Sequence, residues 1–477
     1  MADRSSPVAI TGMGVVCSIA HAIPEFIEAI REGRHGITNL PVDENHSVRI
    51  GALVENFGWQ SWVESLKSRE PGIYARARKV LNNTTESTRL SAYVATQAVL
   101  DAGLGELGDA ADETGLIVGG SNLAQDYITQ NWLRFRETGR PNPRYALSFL
   151  DSNQVGCLSE ILSIRGPGFT VGAAAASGNA ALFQAFQWIR SGIVRRCLVV
   201  GACIKFTALD LESFAILGAA CSGRWQDDPA HACRPFDQAH EGFVWGQGAG
   251  CVVLESLDSV GGRRIQGELV GASLVLDGNH LADPNQKGEI RAMQLALNSG
   301  DLNPGSIGYI NAHGTSSPLG DRTECAAIKS LFRDHLANVW INSTKSLTGH
   351  CFGASGVIEL IACVVQLNNG FVHPNRNLDS PIDRELKLVS VKAEPLNAEY
   401  ALSNGFGFGG INSTVVVRKG LTSSLPVRRP KRIWDMGSSW FEPIGCQPTH
   451  PIDTECRINR QGDSPMSGEF DSRTKSP

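Results

Sequence analysis

Thr170-Val171-Gly172-Ala173-Ala174-Ala175-Ala176-Ser177-Gly178 is the stretch whose reading decides the fold. A β-branched strand end runs into small residues, and then into a segment whose Leu182, Ala185, Phe186 and Ile189 repeat at i, i+3, i+4 and i+7. That pattern predicts a strand-to-helix elbow. Small side chains let the backbone reverse tightly, and the turn presents one residue with free amide N–H groups at a helix N-terminus. The residue so presented is Ala175, which carries no nucleophile. Taken alone, such a turn reads first as a close-packing device, and the rest of the chain must decide whether it is more.

The bulk composition sets the class. With 477 residues, 42% hydrophobic and 19% charged, the chain can bury a large core, and its length suits two or three domains. A net charge of −5 gives no electrostatic reason to expect nucleic acid or an anionic membrane as partner. Residues Met1 to Ser6 lead directly into Val8-Ala9-Ile10-Thr11, too short a lead for a signal segment, and no apolar run is read as membrane-spanning. A cytoplasmic protein is the expectation. The 12 cysteines contain no C-x-x-C pair, and Cys197, Cys251 and Cys363 sit inside apolar runs, so neither a metal site nor a disulfide framework is supported.

Short β-rich runs at Val8 to Thr11, Leu116 to Val118, Cys197 to Gly201 and Cys251 to Glu255 alternate with helical patterns, among them Ser87 to Ala102 ended by Gly103. From about Glu268 the theme recurs, with strand-like Ile307 to Ile310, Val339 to Ile341 and Thr414 to Val417. The class is α/β, and two similar halves, 1–255 and 256–420, are expected. After Arg418 the composition changes to a Ser/Pro joint, a basic cluster of Arg428, Arg429, Lys431 and Arg432, and scattered Gly, Pro, Asp and Ser. Residues 421–477 read as a tail, largely disordered by composition, with Trp434, Trp440 and Phe441 available to dock its first part.

Three further segments bear on the opening one. In Tyr309-Ile310-Asn311-Ala312-His313-Gly314-Thr315-Ser316-Ser317-Pro318 a strand pattern ends in a histidine followed by a Gly, hydroxyl and Pro loop. In Asn342-Ser343-Thr344-Lys345-Ser346-Leu347-Thr348-Gly349-His350 a lysine and a histidine stand five residues apart, again after a strand pattern. Either histidine by itself is equally a structural residue. The third segment, Ser403-Asn404-Gly405-Phe406-Gly407-Phe408-Gly409-Gly410-Ile411-Asn412, has alternating glycines that allow close backbone approach. It lacks the G-x-G-x-x-G spacing and a following helix pattern, so a nucleotide loop is a poor reading.

Together these four segments, with Arg234-Pro235-Phe236-Asp237, Gly242-Phe243 and Gly246 to Gly250, resemble the β-ketoacyl-acyl carrier protein synthase family, over roughly residues 7 to 420. The resemblance implies a thiolase-like fold of two similar halves in a five-layered α/β/α/β/α arrangement. It also implies a homodimer, no cofactor of the protein's own, and a substrate delivered on the phosphopantetheine arm of an acyl carrier protein. The family's acyl-accepting cysteine falls on Ala175, its two catalytic histidines on His313 and His350, and its lysine on Lys345, with Glu324 as the expected ion-pair partner. The pantetheine-binding hydroxyls fall on Thr315 and Ser317, and the oxyanion and gate positions on Ala175 and Phe408. Gln247 and His240 also depart from the family, which usually has Glu and often Arg there; no consequence is assigned to either.

A condensing cycle needs a thiolate to accept an acyl group, and alanine cannot do this. Decarboxylation needs no nucleophile, only preorganised donors for the charge that develops on a thioester oxygen. The segments Gly166 to Gly172, Ala176 to Asn179 and Ile341 to Lys345 with Gly349-His350-Cys351 resemble the decarboxylating ketosynthase-like proteins of polyketide β-branching (HMG-CoA synthase-type) cassettes. Those usually carry Ser at the nucleophile position. The expected activity is therefore decarboxylation of malonyl-acyl carrier protein to the acetyl form, alongside other β-branching enzymes. The alternatives are a non-catalytic partner of an active ketosynthase, like a chain-length factor, and a condensing synthase whose cysteine has been mutated.

Overall fold

The computed structural model describes residues 7–420; the tail expected at 421–477, with its basic cluster and aromatic residues, lies outside them. Ten strands carry the architecture: β1 (Val8–Cys17), β2 (Thr114–Gly119), β3 (Gly168–Val171), β4 (Arg196–Gly201), β5 (Gly248–Ser256), β6 (Gly267–Leu276), β7 (Ile307–Asn311), β8 (Trp340–Asn342), β9 (Tyr400–Gly407) and β10 (Ile411–Lys419). They form one sheet in the order β8-β7-β9-β10-β6-β1-β5-β4-β2-β3. Numbered within its own half, each group of five runs 3-2-4-5-1. In each half the strand second from the outer edge pairs parallel with both neighbours, β2 with β3 and β4 and β7 with β8 and β9, and the remaining pairs are antiparallel. A short antiparallel contact between Val8–Ile10 and Gly267–Leu269 joins the halves.

Residue alternation explains the layering. In β2 and β4, Ile117, Cys197 and Val199 face a central core shared with helices α2 (Ser177–Arg190) and α5 (Ser355–Asn369). Their neighbours Leu116, Val118, Leu198 and Val200 face an outer core with helix α1 (Glu86–Asp101). The second half repeats the pattern: Tyr309, Ala401 and Val415 face the centre, whereas Ile310, Leu402 and Val416 face helices α3 (Gln286–Ser299) and α4 (Pro318–Phe332). A strand buried on both faces carries apolar residues at successive positions. The result is five layers, α/β/α/β/α.

Local signals set the helix ends. The Thr85 hydroxyl accepts from the Thr88 amide at the start of α1, and α5 stops at Gly370 in the left-handed region at φ +68°. Phe352–Asn369 is long and apolar enough to cross a membrane, contrary to the sequence reading, but 89% of it is buried in the core, which identifies a central helix. The glycine-rich 403–412 segment, whose alternating glycines allow close backbone approach, spans two paired strands. It is a hairpin, with Ser403–Gly407 ending β9 and Ile411 opening β10.

The two central helices meet backbone to backbone. A Cβ on Gly356 would lie 2.2 Å from Asn179 Oδ1 and 2.6 Å from its amide nitrogen, and one on Gly178 would lie 3.0 Å from the Gly353 carbonyl. Gly356→Ala is therefore expected to destabilise the protein by about 1–3 kcal/mol. Gly156, helical and with nothing within 4 Å of an added Cβ, should instead gain about 0.4–1 kcal/mol as alanine. Denaturant midpoints that shift in the same direction would refute this packing account.

Candidate active site

The 172–178 elbow forms as the sequence predicts. Residues 174–176 make one 3-10 turn and α2 begins at Ser177. Ala174 sits in the left-handed region at φ +48°, unusual for a residue with a Cβ. The Ser177 hydroxyl holds the turn, accepting from the Ala173 amide at 2.8 Å and donating to the Ala174 carbonyl at 2.7 Å. Ala175 is buried, and among the described residues nothing accepts its amide N–H or that of Phe408. Gly407 brings the Phe408 segment close, since a Cβ there would lie 2.5 Å from the Ala173 carbonyl. Two free amides thus stand beside the position where a nucleophile is missing.

The second half supplies a matching turn. Phe352–Ala354 is also 3-10, Phe352 has φ +47°, and Ala354-Ser355-Gly356 repeats Ala176-Ser177-Gly178 at the start of its helix. This duplication delivers His350. Its amide donates to the Val244 carbonyl at 2.7 Å, and its carbonyl accepts from Gly246 at 2.9 Å. The Phe352 amide donates to His350 Nδ1 at 3.3 Å, and the Ser355 hydroxyl lies 3.1 Å from the same nitrogen. Nδ1 is therefore the acceptor, and Nε2 carries the proton.

His313 follows β7 and faces His350, ring centroids 5.6 Å apart and nearly perpendicular at 85°. Its Nδ1 is buried without a partner among the described residues, so neighbouring groups fix the His350 tautomer but not that of His313. Glu324, from α4, accepts from the amides of His313 and Gly314 at 2.8 Å each and from Asn404 Nδ2 at 2.9 Å. It is thus a clamp on the histidine loop and not the partner of Lys345, which corrects the expected ion pair. Lys345 pairs with Glu359 of α5 at 2.5 Å, both side chains buried. A cation in the short 345–348 helix faces a carboxylate one turn into the central helix, a pairing that local sequence spacing does not expose.

Electrostatics follow from this enclosure. Burial, then the Lys345 ammonium, pushes His350 well below the ordinary imidazole range. Burial, Lys345 and His350, in that order, do the same to His313. Both rings are neutral near pH 7, the state in which an imidazole donates through one nitrogen only. Burial raises Glu359 to about 7 against the pull of Lys345, and raises Glu324 against the hydrogen bonds it accepts.

Thr315 and Ser317 lie together, Thr315 Oγ1 donating to Ser317 Oγ at 2.9 Å. The Arg234–Asp237 segment buttresses their loop, because the Arg234 amide donates to Ser316 Oγ at 3.0 Å. Gln247 holds residues 52–54 through the Val54 amide at 3.1 Å, and His240 Nδ1 lies 3.2 Å from Asp321 in a buried contact. Ser177, Ser355, Glu359 and Asn404 are the supporting residues that sequence reasoning missed. The repeated Ala-Ser-Gly tripeptide is the signal that points to the first two.

Replacing Lys345 by Met removes the charge that depresses both imidazoles, so His313 and His350 are expected to titrate at higher pH. Unchanged histidine titrations by NMR would refute the electrostatic role of Lys345.

Models of the β-ketoacyl synthase N-terminal domain and C-terminal domain match residues 5–259 and 266–379. The polyketide biosynthesis malonyl-ACP decarboxylase PksF of Bacillus subtilis is 35% identical over 417 residues, covering 86% of this chain and 96% of the relative. A 3-oxoacyl-[acyl-carrier-protein] synthase 2 of Synechocystis sp. is 33% identical over 426 residues, covering 86% and 98%. The crystal structure of a β-ketoacyl synthase from Burkholderia phymatum superposes with a TM-score of 0.77 at 27% identity, covering 87% of this chain and 99% of that one. With the two-half topology, the paired histidines and the elbow all in place, the chain belongs to the β-ketoacyl synthase family.

Proposed function

We propose that the protein decarboxylates malonyl-acyl carrier protein to acetyl-acyl carrier protein for polyketide β-branching, without condensation. The observation that carries this reading is the neutral histidine pair beside a nucleophile position occupied by Ala175. The His350 Nε2–H is set by the Phe352 amide, so one donor is preorganised before substrate arrives. With the thioester oxygen held by His350 and His313, the C–C bond to the carboxylate breaks, its electrons form the enolate, and CO2 leaves. The enolate carbon then takes a proton from water. No acyl group is passed to the protein, because residue 175 has no atom to receive one. The chemistry requires no cofactor beyond the carrier's own pantetheine arm, for which Thr315 and Ser317 offer hydroxyls.

Support also comes from the likeness to the Bacillus decarboxylase. The protein acts in the cytoplasm with a carrier protein and other β-branching enzymes, and as a homodimer through the sheet edge. β3 ends the sheet there, with Phe169 exposed. A chain-length-factor role is less well supported, because a non-catalytic partner has no need of a preset His350 tautomer.

Incubation with malonyl-acyl carrier protein, followed by intact-mass spectrometry, is expected to show the acetyl form and no extended chain; unchanged malonyl carrier would overturn the reading. His313→Ala removes one oxyanion donor and should slow CO2 release by about a hundredfold to a thousandfold. Stopped assays on the purified variant check this, and a rate equal to the parent's would exclude His313 from the chemistry.

A further inference from the structure

Five phenylalanine rings, Phe206, Phe214, Phe243, Phe352 and Phe408, form one cluster beside His350. Phe352 stacks on one face of the His350 ring, 4.3 Å between centroids and 16° between planes. Phe206 and Phe243 meet Phe352 edge-on at 4.7 and 5.1 Å. Phe214 lies 5.6 Å from Phe352 and 6.2 Å from Phe408. Its place in the wall matters most. Phe352 opens the turn that packs against the 174–176 turn, and Phe408 follows the glycine seated on the Ala173 carbonyl. The backbone segments that carry these two rings both pack against the turn holding position 175, and Phe214 touches both rings.

An alkyl chain attached at position 175 and directed toward the 352–354 turn would meet this wall. A methylene needs about 3.5–4 Å from each neighbouring carbon. Rings whose centroids stand 4.3 to 6.2 Å apart leave no channel of that width between them. Ring pairs at these separations are already in favourable contact, so separating them to admit a chain is opposed by lost packing. The ring contacts are tertiary, drawn from the loop after β4, helix 208–216, the 243 segment and the turn before α5.

We propose that Phe206, Phe214 and Phe352 are specificity determinants that close the space beside position 175, admitting an acetyl or malonyl unit and rejecting thioesters of longer acyl chains. This rests on the reading of the protein as acting on a malonyl thioester, and extends it from the reaction to the size of the acyl group. It separates the protein's loss of condensation into two parts. One is the absent thiol, and the other is a site with no room for a grown chain.

The test uses Ala175→Cys in the full chain, incubated with acetyl- and decanoyl-acyl carrier protein and read by peptide-level mass spectrometry at residue 175. Acetyl is expected to load, and decanoyl to load on the order of ten- to a hundredfold more slowly, the scale set by the cost of overpacking. Adding Phe214→Ala, a half-buried position whose truncation leaves the core intact, should narrow that ratio. Decanoyl loading as fast as acetyl would overturn the proposal. Where the new thiol takes no acyl group from a carrier, methyl and decyl methanethiosulfonates give the same comparison. Labelling by the methyl reagent alone supports the wall, and equal labelling overturns it. None of these readouts involves CO2 release, so failure of the decarboxylase reading and failure of the size limit are separately visible.

Discussion

The backbone contact of Gly178 with Gly356 governs the geometry of the site. Each residue lies in the first turn of a central helix, and each helix begins just after a 3-10 turn that carries a functional position. Pressing the two helices together at residues without side chains brings Ala175 from one half beside His350 and Phe352 from the other. Any larger residue at either glycine would meet backbone atoms, at 2.6 Å beside Gly356 and at 3.0 Å beside Gly178. The close approach explains why small residues crowd both turns, and why the sheet halves must hold the same topology. The turns can be superposed only if the layers behind them are.

Ala175 removes the nucleophile while leaving what would serve it. Ser177 still pins the turn, Ala174 still holds an unfavourable φ, and the amides of Ala175 and Phe408 remain unspent. The histidine side is equally intact. Lys345 and Glu359 form a buried pair, and losing one member of such a pair typically costs about 3–5 kcal/mol because the other charge is stranded. That arrangement makes the lysine costly to lose, and the lysine adds to the burial that keeps both imidazoles neutral. Decarboxylation geometry is thus tied to fold stability, whereas acyl transfer depends on a single side chain.

Much of this was legible in the sequence. Strand runs at Leu116 to Val118, Cys197 to Gly201 and Ile307 to Ile310 sit inside observed strands because alternation in a buried sheet is local information. His313, His350 and Ala175 come together through tertiary structure, yet each lies in a short turn near the end of a strand or the start of a helix, and family likeness connects them. The expected Lys345–Glu324 pair came from family likeness, which does not distinguish a carboxylate that caps amides from one that pairs a cation. The close backbone approach at 403–412 was legible in its glycines, whereas the strand pairing that makes the segment a hairpin was not. The aromatic wall was invisible for the same reason as the ion pair: its members are scattered over some two hundred residues of chain.

Phe408 differs from the other rings of that wall in its anchorage. Phe352 and Phe243 are rooted in the core, but Phe408 is about a third exposed and is followed by Gly409 and Gly410, both with positive φ, at the tip of the β9–β10 hairpin. A Cβ on Gly409 would touch nothing within 4 Å. The tip is nevertheless tied to the neighbouring 277–281 segment, the Gly409 amide donating to the Leu281 carbonyl at 3.1 Å and the Asp277 amide to the Gly410 carbonyl at 2.8 Å. The position of this exposed ring is therefore set partly by a segment outside the site, so residues 277–281 bear on the surface beside position 175 without lining it.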